Sequence, residues 1–338
     1  MKRKKRFLQL WLMMCLGCMV SCAPTIHWVS MDRLSPAKNT FSERVRRVGV
    51  VNNQPNAEQG QRVSGEIILA NARQIVDTLA VNLADAAYFD EVVVFDSVLA
   101  SPGPLSRYDD RQLSPQRVAE LTQRMGVDML VSVELAFYMS ESEPYPYSEL
   151  GSVLTVVKIY LPGRETPVDT ITCRQQIAWE AIPADTEFME SIVDVAARLP
   201  VPFIVPQWMA VEFPYYSNGT AELRDGHVCI AENDWAGARE QWMSLLGHEE
   251  RRHRMYGNFN MAVWHEVHDD TIETARNYAL KARELALEGL DKDEKGRPVI
   301  PSYDYLFINE YLDEMQRRGR NLTRIKQQML RFLDDFSE

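Results

Sequence analysis

Between residues 45 and 200 the chain alternates between two hydrophobic periods. Val45–Val51 is a short β-rich run ended by Asn52 and Asn53. Ile68, Ala72, Ile75, Leu79, Leu83 and Ala87 then recur at helical spacing, with Ser64 available as a cap. Glu91–Phe95 carries the next strand. Ser114 followed by Pro115 opens a second helix, because Ser accepts from free first-turn N–H groups and Pro is pre-set for the first helical position. Gly126 closes it. Asp128–Tyr138, Val153–Leu161 and Val168–Trp179 read as strands, the last two a hairpin across Pro162–Gly163–Arg164–Glu165. Phe188, Ile192, Val195 and Leu199 place a final helix on the sheet. The order β-α-β-α-β-β-β-α predicts an α+β N-terminal domain over residues 41–205, a mixed sheet with helices on one face.

Around Pro200–Pro206 strand signals stop, and nearly everything from Ala221 onward can be written as helix. Residues 206–290 are expected to form an all-α array and 291–338 a C-terminal helical pair, Tyr303–Arg318 and Asn321–Phe332, after the Pro298/Pro301 break. Asn233-Asp234-Trp235-Ala236-Gly237-Ala238-Arg239-Glu240-Gln241-Trp242 resembles the centre of a tetratricopeptide repeat. On that resemblance Ala238 allows close helix approach, Trp242 fills the gap beside it, and Gly226 occupies the small position of the preceding helix. A second unit runs through Asn260-Met261-Ala262, a turn at Asp269-Asp270, and Ala275, Ala279 and Ala282. Ala238 and Ala275 are 37 residues apart, against a family period of about 34. Stacked antiparallel pairs of this kind present a groove to a partner, here with Asn260 and Trp264 as candidate groove residues.

The N-terminus has a different pattern. Five consecutive basic residues, Lys2–Arg6, precede an apolar run from Phe7 to Val20. That run is too short for a hydrocarbon core needing about 20 residues, and it fits a signal peptide over residues 1–21. Met19-Val20-Ser21-Cys22 resembles a lipobox, which implies cleavage and lipidation at Cys22. Leu16-Gly17-Cys18 is a competing exit. Residues 22–40, with two prolines among residues 23–39 and no clear period, read as a lipidated tether. A mature chain of 317 residues would keep 32 basic and 48 acidic side chains, because the first 21 residues hold five of the 37 basic ones. So negative a body excludes nucleic acid as a partner and makes the lipid the whole membrane contact. Cys173 and Cys229 then remain, expected as buried free thiols, with a disulfide chemically permitted outside the cytosol.

The element order of the first half is similar to small α/β domains of envelope lipoproteins of the Tol and curli-secretion kinds. The layout as a whole resembles uncharacterised Bacteroidota-type lipoproteins with an α/β front half and tetratricopeptide-like helices behind, a family that implies no catalytic residues. Nothing in the motifs argues otherwise. His248 and His253 lie five apart, about 140° apart around a helix, and so miss the i, i+4 geometry of a zinc protease. His265 and His268 share a face but lack further ligands, and read as solvated histidines at a helix end. The aromatic segment Trp208, Phe213, Tyr215 and Tyr216 is expected to pack as a seam between domains, sugar stacking being the alternative. No metal, cofactor or enzymatic activity is expected. The expected function is a lipid-anchored, outer-membrane, periplasm-facing scaffold that binds an envelope protein or peptide. A carbohydrate- or small-ligand-binding lipoprotein using the α/β half is the alternative, and a hydrolase with an unrecognised site a third reading.

Overall fold

The structure is a computed structural model that describes residues 25–54, 62–63, 66–68, 72–99, 112–140, 149–179, 185–269, 271–288 and 302–332. Cys22, Cys18, the signal segment, Ser64 and the Pro298/Pro301 break lie outside the described residues. In chain order the elements begin β1 (Ile26–Ser35), β2 (Arg47–Asn52), β3 (Arg62–Val63), β4 (Glu66–Ile68), α1 (Ala72–Asp85), β5 (Glu91–Val94), α2 (Pro115–Met125) and β6 (Met129–Ser140). They continue with β7 (Glu149–Tyr160), β8 (Asp169–Trp179), α3 (Asp185–Arg198), α4 (Val201–Ile204) and β9 (Gln207–Tyr216). The rest is helical: α5 (Ala221–Ala231), α6 (Trp235–Ser244), α7 (Arg251–His268), α8 (Glu273–Leu287) and α9 (Tyr303–Met329). Contacts divide the chain into an α/β unit, Leu34–Trp208 with Arg324–Glu338, and a helical unit, residues up to Arg33 with Met209–Thr323.

The α/β unit is built on a mixed sheet. β5, β2 and β6 run parallel in that order, and β6, β7 and β8 continue antiparallel. The short β3–β4 hairpin pairs with the far half of β6. This topology corrects the expected single layer of helices. The path β2–α1–β5 steps outward and β5–α2–β6 steps back across β2. Because crossovers are right-handed, reversing direction moves the helix to the opposite face. Strand alternation records the result. Val48, Val50, Val131 and Val133 pack with Ile75 and Leu79 of α1 and Ile192 and Ala196 of α3. Val51, Leu130 and Tyr160 pack with Val118 and Leu121 of α2. The signals around α2 are as expected: Ser114 Oγ accepts the Arg117 N–H, and Gly126 ends the helix at φ 66°.

Four further expectations are corrected. Ile68 does not begin a helical stripe: it pairs with Phe137 across β4 and β6. Residues 26–35, expected within the tether, form β1, and residues 207–216, expected to be helical, form β9, the two making a two-stranded sheet. Tyr303–Arg318 and Asn321–Phe332 are not a pair, since α9 runs unbroken through Gly319. Gly319 packs closely against Ile272, whose Cδ1 would lie 2.3 Å from a Cβ there, and does not break the helix. In the α/β unit, the last turn of α9 and its extension are anchored by Gln328, which exchanges hydrogen bonds with the Ala37 backbone. Arg331 adds to this, buried over the Tyr88 ring at 3.9 Å.

The helical unit has its own core. Residues 233–269 and 271–282 contain no strand. Asp234 caps α6 by accepting the Gly237 N–H, with Asn233 before it at φ 60°. Ala238 and Trp242 are fully buried. Gly226 of α5 lies against the indole so closely that a Cβ there would be 2.4 Å from Trp242 Nε1. Ala275, Ala279 and Ala282 bury the matching face of α8, where small side chains let helices approach.

Candidate functional site

Both expected groove residues are engaged in packing within the helical unit. Asn260 is 0% exposed and does not line a groove. Its Oδ1 accepts the Tyr216 N–H at 2.8 Å and its Nδ2 donates to the Tyr216 carbonyl at 2.7 Å. The amide thus satisfies both backbone groups at the end of β9, a role a buried polar side chain must have to be tolerated. Trp264 is half-buried: its Nε1 donates to the Trp235 carbonyl at 3.0 Å, the Arg239 guanidinium sits 5.0 Å above its ring and His268 stacks on it at 4.4 Å. Both residues hold the unit together.

His268 is exposed at the helix end as expected, whereas His248 and His265 differ from expectation. His248 precedes α7, so the helical angle between it and His253 does not apply, and the two rings meet at 4.5 Å. His265 is bonded to Asp269 at 2.9 Å and stacks on Tyr278. Among the described residues no group of three or more His, Cys, Asp or Glu could hold a metal. Cys173 and Cys229 are free thiols. Burial pushes the Cys173 thiol up to about 11, which keeps it protonated and unreactive. Phe213, Tyr215 and Tyr216 belong to the core of the helical unit, while Trp208 in the α/β unit is 72% exposed.

Two groups of polar residues were not anticipated from the sequence. In the helical unit Glu266 is buried, accepting from Tyr311 Oη at 2.6 Å and Arg318 Nε at 2.6 Å. In the α/β unit Ser132, Glu134 and Lys158 are buried on β6 and β7, and Asn53 Nδ2 donates to Glu134 Oε2 at 2.8 Å. Gln54 Nε2 and Ser132 Oγ are buried there without a hydrogen-bond partner among the described residues. The cluster lies beside the carboxyl end of β2, on the neighbouring β6 and β7. The signal for it was present: two charged side chains, Glu134 and Lys158, interrupt otherwise apolar strands. Burial and the Glu134 charge push the Tyr160 phenol well above its ordinary range.

One cavity of about 470 Å³ lies within the α/β unit, between the end of α1, the start of β9 and the last turn of α9. Its lining includes the apolar Trp208, Pro206 and Phe332 and the polar Asn82, Asp85 and Gln207. Among the described residues no helix is long and apolar enough to cross a membrane.

The fold and these sites define a two-unit protein, a mixed α/β sheet unit joined to a unit of packed helices. The chain belongs to the family described as a domain of unknown function, DUF8603, which matches residues 45–216. A second domain of unknown function, DUF6340, matches residues 224–317. No curated protein matches the chain. Among solved structures, the PelC dodecamer from Paraburkholderia phytofirmans is 11% identical over 53% of this chain and 99% of its own, with a TM-score of 0.28. A minor lipoprotein from Acinetobacter baumannii is 8% identical over 46% of this chain and 86% of its own, TM-score 0.25. The hypothetical protein CT253 from Chlamydia trachomatis is 9% identical over 45% of this chain and 96% of its own, TM-score 0.26.

Proposed function

We propose that the protein is a bacterial envelope lipoprotein, anchored through Cys22 to the outer membrane and facing the periplasm, that acts as a non-enzymatic scaffold. Its helical unit is a tetratricopeptide-like array that binds an envelope protein or peptide. The observation that carries this reading is the Gly226–Trp242 contact, with Ala238 buried beside it. A tryptophan wedged against glycine is how repeat-like helix pairs stack, and stacked pairs offer an extended surface whose usual role is recognition. With Asn260 and Trp264 committed to packing, the contact surface moves to side chains that stay exposed on the first pair, Val228 of α5 and Met243 of α6.

The test is chemical crosslinking of intact cells followed by affinity purification of the native lipoprotein. The same envelope protein should be recovered with wild type and lost from a Val228→Asp, Met243→Asp double variant whose thermal stability is unchanged. Equal recovery with that variant would place the partner surface elsewhere.

A further inference from the structure

The cavity belongs to the α/β unit, whereas the surface proposed for a protein partner belongs to the helical unit, and the cavity's wall is built against local stability. Asp85 is the last residue of α1, where the helix dipole disfavours a carboxylate, and no basic side chain stands in that turn. Two residues on, Ala87 takes φ 48°, the left-handed conformation that glycine normally supplies at a helix end. Both line the cavity. Strain and misplaced charge that converge on one concavity are the mark of a site kept for binding. Asn82, one turn before Asp85 on the same helix face, has its Nδ2 shielded from solvent with no acceptor among the described residues. The lining also holds Trp208, 72% exposed, a large apolar ring left in water.

From these features we propose that the cavity binds a neutral pyranose sugar. A pyranose has one face of C–H groups and a rim of hydroxyls, and the cavity has the complement of each. The Trp208 indole offers a flat apolar platform for the C–H face. Asp85 accepts from a pair of hydroxyls. Asn82, after rotation of its amide, and Gln207 donate to ring or hydroxyl oxygens and accept in turn. The described lining carries one carboxylate and no Lys or Arg, which disfavours phosphates and acidic sugars. A volume of about 470 Å³ falls within the ~300–1,000 Å³ of small-molecule sites.

The test is saturation-transfer NMR with the purified full-length mature protein, using as probes cellobiose, maltose and the disaccharide of N-acetylglucosamine, with glucose 6-phosphate as the anionic control. At least one neutral disaccharide should receive saturation from wild type and glucose 6-phosphate should not. Trp208→Ala, which removes an exposed ring and leaves the fold intact, should abolish the transfer, and Trp208→Tyr should restore it. Asn82→Ala should weaken binding about tenfold, the effect of one lost hydrogen bond in a shielded site. Absence of transfer from all three neutral sugars, or transfer that survives Trp208→Ala, would overturn the proposal. Equal transfer to glucose 6-phosphate would overturn the neutral assignment.

Discussion

Gly226 and Trp242 meet where no side chain larger than hydrogen fits, because a Cβ on Gly226 would stand 2.4 Å from the indole nitrogen. Gly226→Ala should therefore displace the wedge and cost about 1–3 kcal/mol, although alanine is otherwise the better helix former. Trp242→Ala should leave a cavity and cost about 3–5 kcal/mol. Chemical denaturation followed by helical circular dichroism measures both. Tyr256 should behave in the opposite sense. Its hydroxyl is buried with no hydrogen-bond partner among the described residues, so Tyr256→Phe should be neutral or stabilising at neutral pH. Burial, with the Asp304 charge adding to it, pushes the Tyr256 phenol up to about 12, and Tyr216 and Tyr311 are raised as well. The folded protein holds these protons more tightly than the unfolded chain, whose tyrosines ionise near pH 10. That stability is complete below pH 10 and is lost as pH rises from there through about 12. Thermal melts along this range should show a steady fall that is shallower in Tyr256→Phe. A flat profile would mean that the phenols are not held in their neutral form.

Elements were legible where local chemistry and tertiary packing agree. Ser114-Pro115 and Gly126 bound α2 because cap and breaker act within a few residues of each other. β1 and β9 were not legible, since a two-stranded ribbon half in water buries too little to impose alternation. Trp28 and Trp208, which look like core residues, are exposed on it. α7 misled in another way. Met255 to Val263 are buried all round the helix, and Gly257, Asn258 and Asn260 among them disguise a central helix as an amphipathic one. The pattern therefore points Asn260 to a surface it never reaches. The Glu266–Arg318 pair joins α7 to α9 across 52 residues, a partnership that no local pattern encodes. Arg318→Met should leave the Glu266 carboxylate buried without its main counter-charge and destabilise the helical unit by about 3–5 kcal/mol. Adding Glu266→Gln should recover much of that loss, and a double variant no better than the single would show that the pair is not coupled.

At the scale of the whole molecule, each unit has its own hydrophobic core, so damage in one need not spread to the other. The proposed lipid anchor is tested separately: if Cys22 carries it, Cys22→Ser should release the protein from membranes or leave it as precursor, as read by fractionation and immunoblot. A mature-sized species still on membranes, with Cys18→Ser releasing it, would assign the lipid to Cys18. On the proposed function, the helical unit carries the partner through its stacking at Trp242. The most direct measurement is the crosslinked purification carried out on Trp242→Ala, with helical content and α/β-unit stability measured on the same protein. The variant should stay on the membrane with its α/β unit folded, lose helical content and no longer capture the partner. Capture at the wild-type level by a protein whose helical unit has melted would contradict the proposed function.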